Sequence, residues 1–245
     1  MTSTPILEGE VAFGAPGAGK PTTTYSDFYH LYGIPIVYYD QIGCCGRSTH
    51  FEDRLGDESF WTFDLFIREL DNLIDHLKLR SNGFFLLGHS WGGMLGGAEN
   101  LQKIILSGAP GSVPLLAQGS RNLLAALPEV KRVTLEECDR KGDHESPEFE
   151  QASKVFYDRH VCRLNPYPED VLSAFKNLKR PYFILDDVSP SEFIIVGTLK
   201  NWEGWKEGHN IEVQAMLVNG QYDEATDLCM QPWFSSIPKV RWVTI

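Results

Sequence analysis

Apolar and polar positions fall into two kinds of block along this chain. Short β-rich runs, Ile34–Asp40 (IPIVYYD), Phe84–Leu87 (FFLL), Lys103–Leu106 (KIIL), Ala215–Val218 (AMLV) and Val240–Thr244 (VRWVT), read as strands. Between the first two, Phe63, Ile67, Leu70, Ile74 and Leu77 recur at steps of four and three, the spacing of one helix face. Ser59 or Thr62 can cap that helix, and Asp64 suits its positive N-terminal end. Strands alternating with helices at both ends of the chain predict an α/β fold, a mostly parallel sheet with helices on its faces. From about Gly111 to Trp205 the pattern changes to helices without intervening strands: Arg121–Val130, Thr134–Arg140, Pro147–Cys162 and Tyr167–Lys179. The expected organisation is therefore a core over 1–110, an inserted helical cap over 111–205, and the rest of the core over 206–245.

Composition narrows the function classes. A chain of 245 residues, 42% hydrophobic and 22% charged, is an ordinary globular protein and neither disordered nor fibrous. The longest apolar stretches fall far short of the roughly 20 residues that a bilayer crossing needs, so no membrane role is expected. The opening MTSTPILEGE lacks the basic start and apolar run of a secretion signal, which predicts a cytoplasmic address. Twenty-two basic against 33 acidic side chains leave a formal charge of −11. That charge repels phosphate backbones, excludes nucleic acid as a partner and favours cationic small molecules. The five cysteines (Cys44, Cys45, Cys138, Cys162, Cys229) show no CxxC spacing and read as reduced thiols, not as a metal site.

The sharpest chemical signal is Phe84–Leu87 running straight into Gly88-His89-Ser90-Trp91-Gly92-Gly93. An apolar strand that enters Gly-x-Ser-x-Gly and leaves as a helix makes a turn so tight that small residues must flank the serine two positions away on each side. The turn lifts the hydroxyl above the sheet at a helix N-terminus. Ser90 is thus the candidate nucleophile and the Trp91 backbone N–H a candidate oxyanion donor. In this arrangement an acid follows at the end of a later strand and a histidine follows the acid. Asp223, just past Ala215–Val218 and a glycine turn, is the candidate acid. All seven histidines (His30, His50, His76, His89, His144, His160, His209) precede it, so none stands where a general base is expected. His89 is read as a packing neighbour of Ser90, since successive residues at such a turn point in different directions. His160 and His209 are expected to lie away from Ser90.

These residues are part of a longer resemblance. Asp40-Gln41-Ile42-Gly43 with Gly46-Arg47-Ser48, Trp61-Thr62, Gly88–Met94, Pro190-Ser191-Glu192-Phe193 with Gly197-Thr198-Leu199-Lys200, and Gly220-Gln221-Tyr222-Asp223-Glu224 resemble, collinearly, the proline iminopeptidase family of α/β hydrolases, most of all its fungal and L-amino-acid-amidase-like members. The resemblance implies an α/β-hydrolase fold with an inserted helical cap. It implies removal of an N-terminal residue, often proline, from a small peptide or amino-acid amide through an acyl-enzyme, with no cofactor. It also implies that Glu192 and Glu224 hold the substrate's α-ammonium, since paired carboxylates match one cation and reject internal peptide bonds. An ester hydrolase, which needs no ammonium anchor, and a non-catalytic amine-binding remnant are the alternatives.

The sequence departs from the family in three places, and each departure sets an expectation. Phe13-Gly14-Ala15-Pro16-Gly17 echoes the family's His-Gly-Gly-Pro-Gly oxyanion loop, but Ala18–Tyr25 reads as a hairpin, so the strand and loop are expected to be missing near Tyr25. The stretch Gly92–Asn100 is shorter than the usual helix and loop. No histidine segment follows Val240–Thr244. The core is therefore expected to be incomplete, as in a truncated or alternatively spliced product, and the chain weak or inactive.

Overall fold

The structure is a computed structural model that describes residues 12–14, 26–39, 41–43, 48, 51–54, 57, 59–81, 83–94, 101–169, 171–172, 175 and 198–245. Four parallel strands, β3 (Phe84–His89), β4 (Leu101–Ser107), β5 (Gln214–Asn219) and β6 (Val240–Thr244), lie side by side in that order. A separate parallel pair joins β1 (Ala12–Gly14) to β2 (Ile36–Tyr38) through α1 (Ser26–Tyr32), with Phe13 opposite Val37, and β1 lies alongside β3. The inner strands are apolar on both faces: Phe84, Leu86, Ile104, Leu106, Ala215 and Leu217 are buried on one, and Phe85, Ile105, Met216 and Val218 are half-buried on the other. A strand of that kind needs helices above and below it.

Those helices form for local reasons. On α2 (Phe63–His76) the apolar stripe buries Phe66, Leu70 and Ile74, and the Thr62 hydroxyl accepts the Leu65 N–H at 3.3 Å as an N-cap. α7 (Asp227–Ser236) buries Cys229, Met230 and Trp233 against the same core. Between β4 and β5 the chain forms α4 (Val113–Ala125), α5 (Glu129–Lys141) and α6 (Pro147–His160). The Ser112 and Ser146 hydroxyls cap α4 and α6, and Gly142 at φ 67° closes α5 in the left-handed conformation. α5 and α6 gather Leu127, Leu135, Cys138, Phe149, Ala152 and Phe156 into an apolar cluster of their own, distinct from that of the sheet. α4 bridges the two: Leu115 and Leu116 pack on the sheet's cluster, Leu123 and Leu124 on the second.

Three expectations need correction. The strand before Ala15-Pro16-Gly17 is present, not deleted: Ala12–Gly14 pairs in parallel with Ile36–Tyr38, while the hairpin expected over 18–25 lies outside the described residues. Three residues, one of them glycine, carry no periodicity from which to read a strand, and only the partner strand defines it. The loop after it lies outside the described residues, as does Glu192. The first inserted helix begins at Val113, eight residues before the expected Arg121, because Ser112 caps it and Pro114 suits a first turn. It ends at Ala125, ahead of Pro128, rather than at Val130.

Candidate active site

Ser90 sits directly after β3 with φ 49°, a left-handed backbone that only a few non-glycine residues adopt. The strain is held from both sides. The Ser90 N–H donates to the Ser107 carbonyl at 2.9 Å, and the Ser90 carbonyl accepts the Gly93 N–H at 3.0 Å, which opens α3 (Trp91–Met94). The glycines are required by close approach. A methyl group built on Gly88 would lie 2.4 Å from Gly93 Cα, and one on Gly93 would lie 2.3 Å from Ala109 Cβ. The strand-to-helix turn thus exists because no side chain stands between its arms. Ser90 is exposed at its apex.

Trp91 is the first residue of α3, so its N–H has no acceptor within the helix. Its indole is fixed from below: Nε1 donates to the buried Gln41 Oε1 at 3.0 Å, and the ring meets Phe63 and Phe66 edge-on, each at 5.5 Å. Gln41 belongs to the Asp40-Gln41-Ile42-Gly43 segment. The next backbone N–H, of Ile42, donates to Glu69 Oε1 at 2.7 Å. The other oxygen, Glu69 Oε2, is buried without a hydrogen bond among the described residues, and burial pushes this carboxyl up to about 7.

Asp223 follows β5, two strands from Ser90, at the same C-terminal edge of the sheet. The loop folds onto its carboxylate: Gly220 N–H donates to Oδ2 at 3.2 Å and Ala225 N–H to Oδ1 at 2.9 Å. Beneath it the buried Asn219 uses its whole amide. Nδ2 donates to the Ala225 carbonyl and to Asp227 Oδ1, and Oδ1 accepts Trp242 Nε1 and Thr244 Oγ1. Between Ser90 and Asp223 lies Gly108, at φ 52°, after β4. A methyl group there would sit 3.3 Å from Asp223 Oδ2 and 3.5 Å from His89 Cε1. His89 thus faces the acid across Gly108. Its imidazole is open to solvent on one side and crowded by protein on the others. That crowding lowers its pKa, against the opposing pull of the Asp223 charge.

The fold therefore brings Ser90, Trp91, Asp223 and Glu224 to one edge. Sequence reasoning missed three contributors. Asn219 reads as a plain strand end, Gly108 as a plain turn, and His160 as a remote helix residue, although its Nδ1 donates to the Tyr222 carbonyl at 2.9 Å. His209 instead donates to Lys206 in its own turn. Among the described residues no histidine donates to the Asp223 carboxylate, and no cluster of His, Cys, Asp and Glu could hold a metal ion.

The sequence matches the Alpha/beta hydrolase family over residues 15–218. It is 34% identical over 203 residues to a proline iminopeptidase of Saccharolobus solfataricus, which covers 80% of this chain and 63% of that protein. It thus spans somewhat under two thirds of that relative's length. To a proline iminopeptidase of Heyndrickxia coagulans it is 32% identical, with 98% of this chain and 81% of that protein covered. The fold superposes on the crystal structure of VinJ with a TM-score of 0.89 at 32% identity, covering 97% of this chain and 82% of that one. On the proline iminopeptidase of Mycobacterium smegmatis the TM-score is 0.83 at 30% identity, covering 96% and 81%. By sequence and by fold, this chain belongs to the proline iminopeptidase family of α/β hydrolases.

Proposed function

We propose that the chain is a serine hydrolase of proline iminopeptidase type, which releases the N-terminal residue, often proline, from small peptides or amino-acid amides by way of an acyl-enzyme on Ser90. The observation that carries this reading is the strained Ser90 at the apex of the β3–α3 turn, with Asp223 on the same sheet edge. The Ser90 hydroxyl attacks the substrate carbonyl, and the Trp91 N–H stabilises the resulting oxyanion. Asp223, preset by two backbone N–H donors, stands where the acid of a complete triad would orient an imidazole to take the serine proton. Glu224, next to the acid, holds the substrate ammonium together with Glu192, and the helices from 111 to 205 cap the site.

The weak point of the machinery is the imidazole. With all seven histidines ahead of Asp223 in the sequence, no side chain at the expected position takes the proton. Turnover by these 245 residues is expected to be lower by on the order of a hundredfold or more than with a complete triad. A fluorophosphonate probe on the purified chain tests the reading: slow labelling confined to Ser90 and abolished by Ser90→Ala is expected. Labelling that survives Ser90→Ala, or none after prolonged exposure, overturns it. Cleavage of a short acyl ester faster than of proline arylamide, indifferent to a blocked N-terminus, would point to the ester hydrolase instead.

A further inference from the structure

His160 ends α6, and the two peptide groups that bracket Asp223 both terminate on it. The His160 ring donates from Nδ1 to the Tyr222 carbonyl at 2.9 Å, and the His160 carbonyl accepts the Glu224 N–H at 3.1 Å. The first is the peptide carbonyl immediately before Asp223, the second the peptide N–H immediately after it. Together they hold the backbone on both sides of the acid. One turn on, the Arg163 guanidinium lies 3.7 Å from the centre of the Tyr222 ring, close enough for a cation–π contact. The ring of His160 is itself packed on Phe156, a fully buried member of the α5–α6 cluster, at 5.0 Å.

We propose that His160 is a positioning residue for Asp223, a latch through which the inserted helices set the backbone of the acid. This rests on the reading of Asp223 as the acid of the hydrolase. The loop's remaining bonds do not replace the latch. Asp223 N–H to Gly220 O at 3.1 Å and Thr226 N–H to Glu224 O at 2.8 Å run within the loop and travel with it. The Asn219 amide grips the far side, at Ala225 and Asp227. On the near side, Gln221 N–H reaches the Ile245 carbonyl two residues before the acid, but the peptides on either side of Asp223 answer to residue 160. α5 and α6 share an apolar cluster of their own, so His160 ties that cluster to the backbone of the acid.

Hydrogen–deuterium exchange on the full 245-residue chain tests this. His160→Ala removes the ring donor. Exchange of the amides in 222–226 should then rise about tenfold, the effect of losing one hydrogen bond, while β5 at 214–218 keeps its protection. His160→Asn places an amide nitrogen where Nδ1 stood and should restore the slow exchange. Unchanged exchange at 222–226 in His160→Ala, or no recovery in His160→Asn, overturns the proposal. If His160→Ala loosens the whole chain, Arg163→Met serves in its place: selective acceleration at 222–226 supports the latch and native exchange overturns it. Probe labelling of Ser90 in the unaltered chain reports separately on the hydrolase reading. The latch fails by exchange alone, and the hydrolase reading by labelling alone.

Discussion

At Ser90 the backbone bears a cost that the side chain alone does not explain. A left-handed conformation costs an L-residue about 1–2 kcal/mol and costs glycine none, though glycine gives back part of that gain in unfolded-state entropy. Ser90→Gly should therefore be more stable than Ser90→Ala by about 0.5–1 kcal/mol in denaturant unfolding, although both lack the hydroxyl. Equal stabilities would mean that the turn is relaxed. Gly108, at φ 52° between His89 and Asp223, is constrained in the same way. Glu69 belongs to this scale too. Its carboxyl titrates near 7 in the folded chain, above its ordinary value of 4.5, because burial disfavours the charge. The folded state then holds a proton that the unfolded state releases, so this contribution to stability is full below about pH 4.5 and is lost as pH rises through 7. Glu69→Gln keeps an acceptor for the Ile42 N–H. Allowing for partial exposure, it should be more stable than the parent by on the order of 1 kcal/mol at pH 8 and not at pH 4, as followed by thermal unfolding.

Among the elements, the β3–α3 junction depends on glycines more than on any apolar contact. Gly93→Ala would force its methyl group against Ala109 Cβ at 2.3 Å, beside a backbone that cannot retreat from Gly88. Overpacking of that kind costs about 1–3 kcal/mol. The expected result is a lower denaturation midpoint with loss of Ser90 labelling, and an unchanged midpoint would contradict the close approach. α2 illustrates the opposite case: its cap, apolar spacing and length are local properties of residues 62–76 and were legible, although Phe66 is buried in the core and Leu77, at the helix end, is exposed. α4 was only half legible. Its N-terminal half meets the sheet through Leu115 and Leu116 and shows no amphipathic period until the partner helix α7 is in place, with Gly119 close against Thr226 Oγ1.

Across the whole molecule, the parallel order β3-β4-β5-β6 sets Ser90, Gly108 and Asp223 at one edge in successive loops, and the inserted helices return to that edge through His160. Asn219 closes the arrangement by joining β5, β6 and the acid loop with one fully satisfied amide. The sequence by itself determined the strand-to-helix serine turn, an aspartate after a later strand, the helical insertion and the family. These depend on the order and spacing of residues along the chain, which any fold of it must respect. Only the tertiary structure decided that Ala12–Gly14 is a strand, that His89 faces Asp223 across Gly108, and that one helix end holds both peptides around the acid. Each of those is a meeting of segments far apart in the chain, and a strand of three residues or a histidine at a helix end acquires its role from the partner it meets.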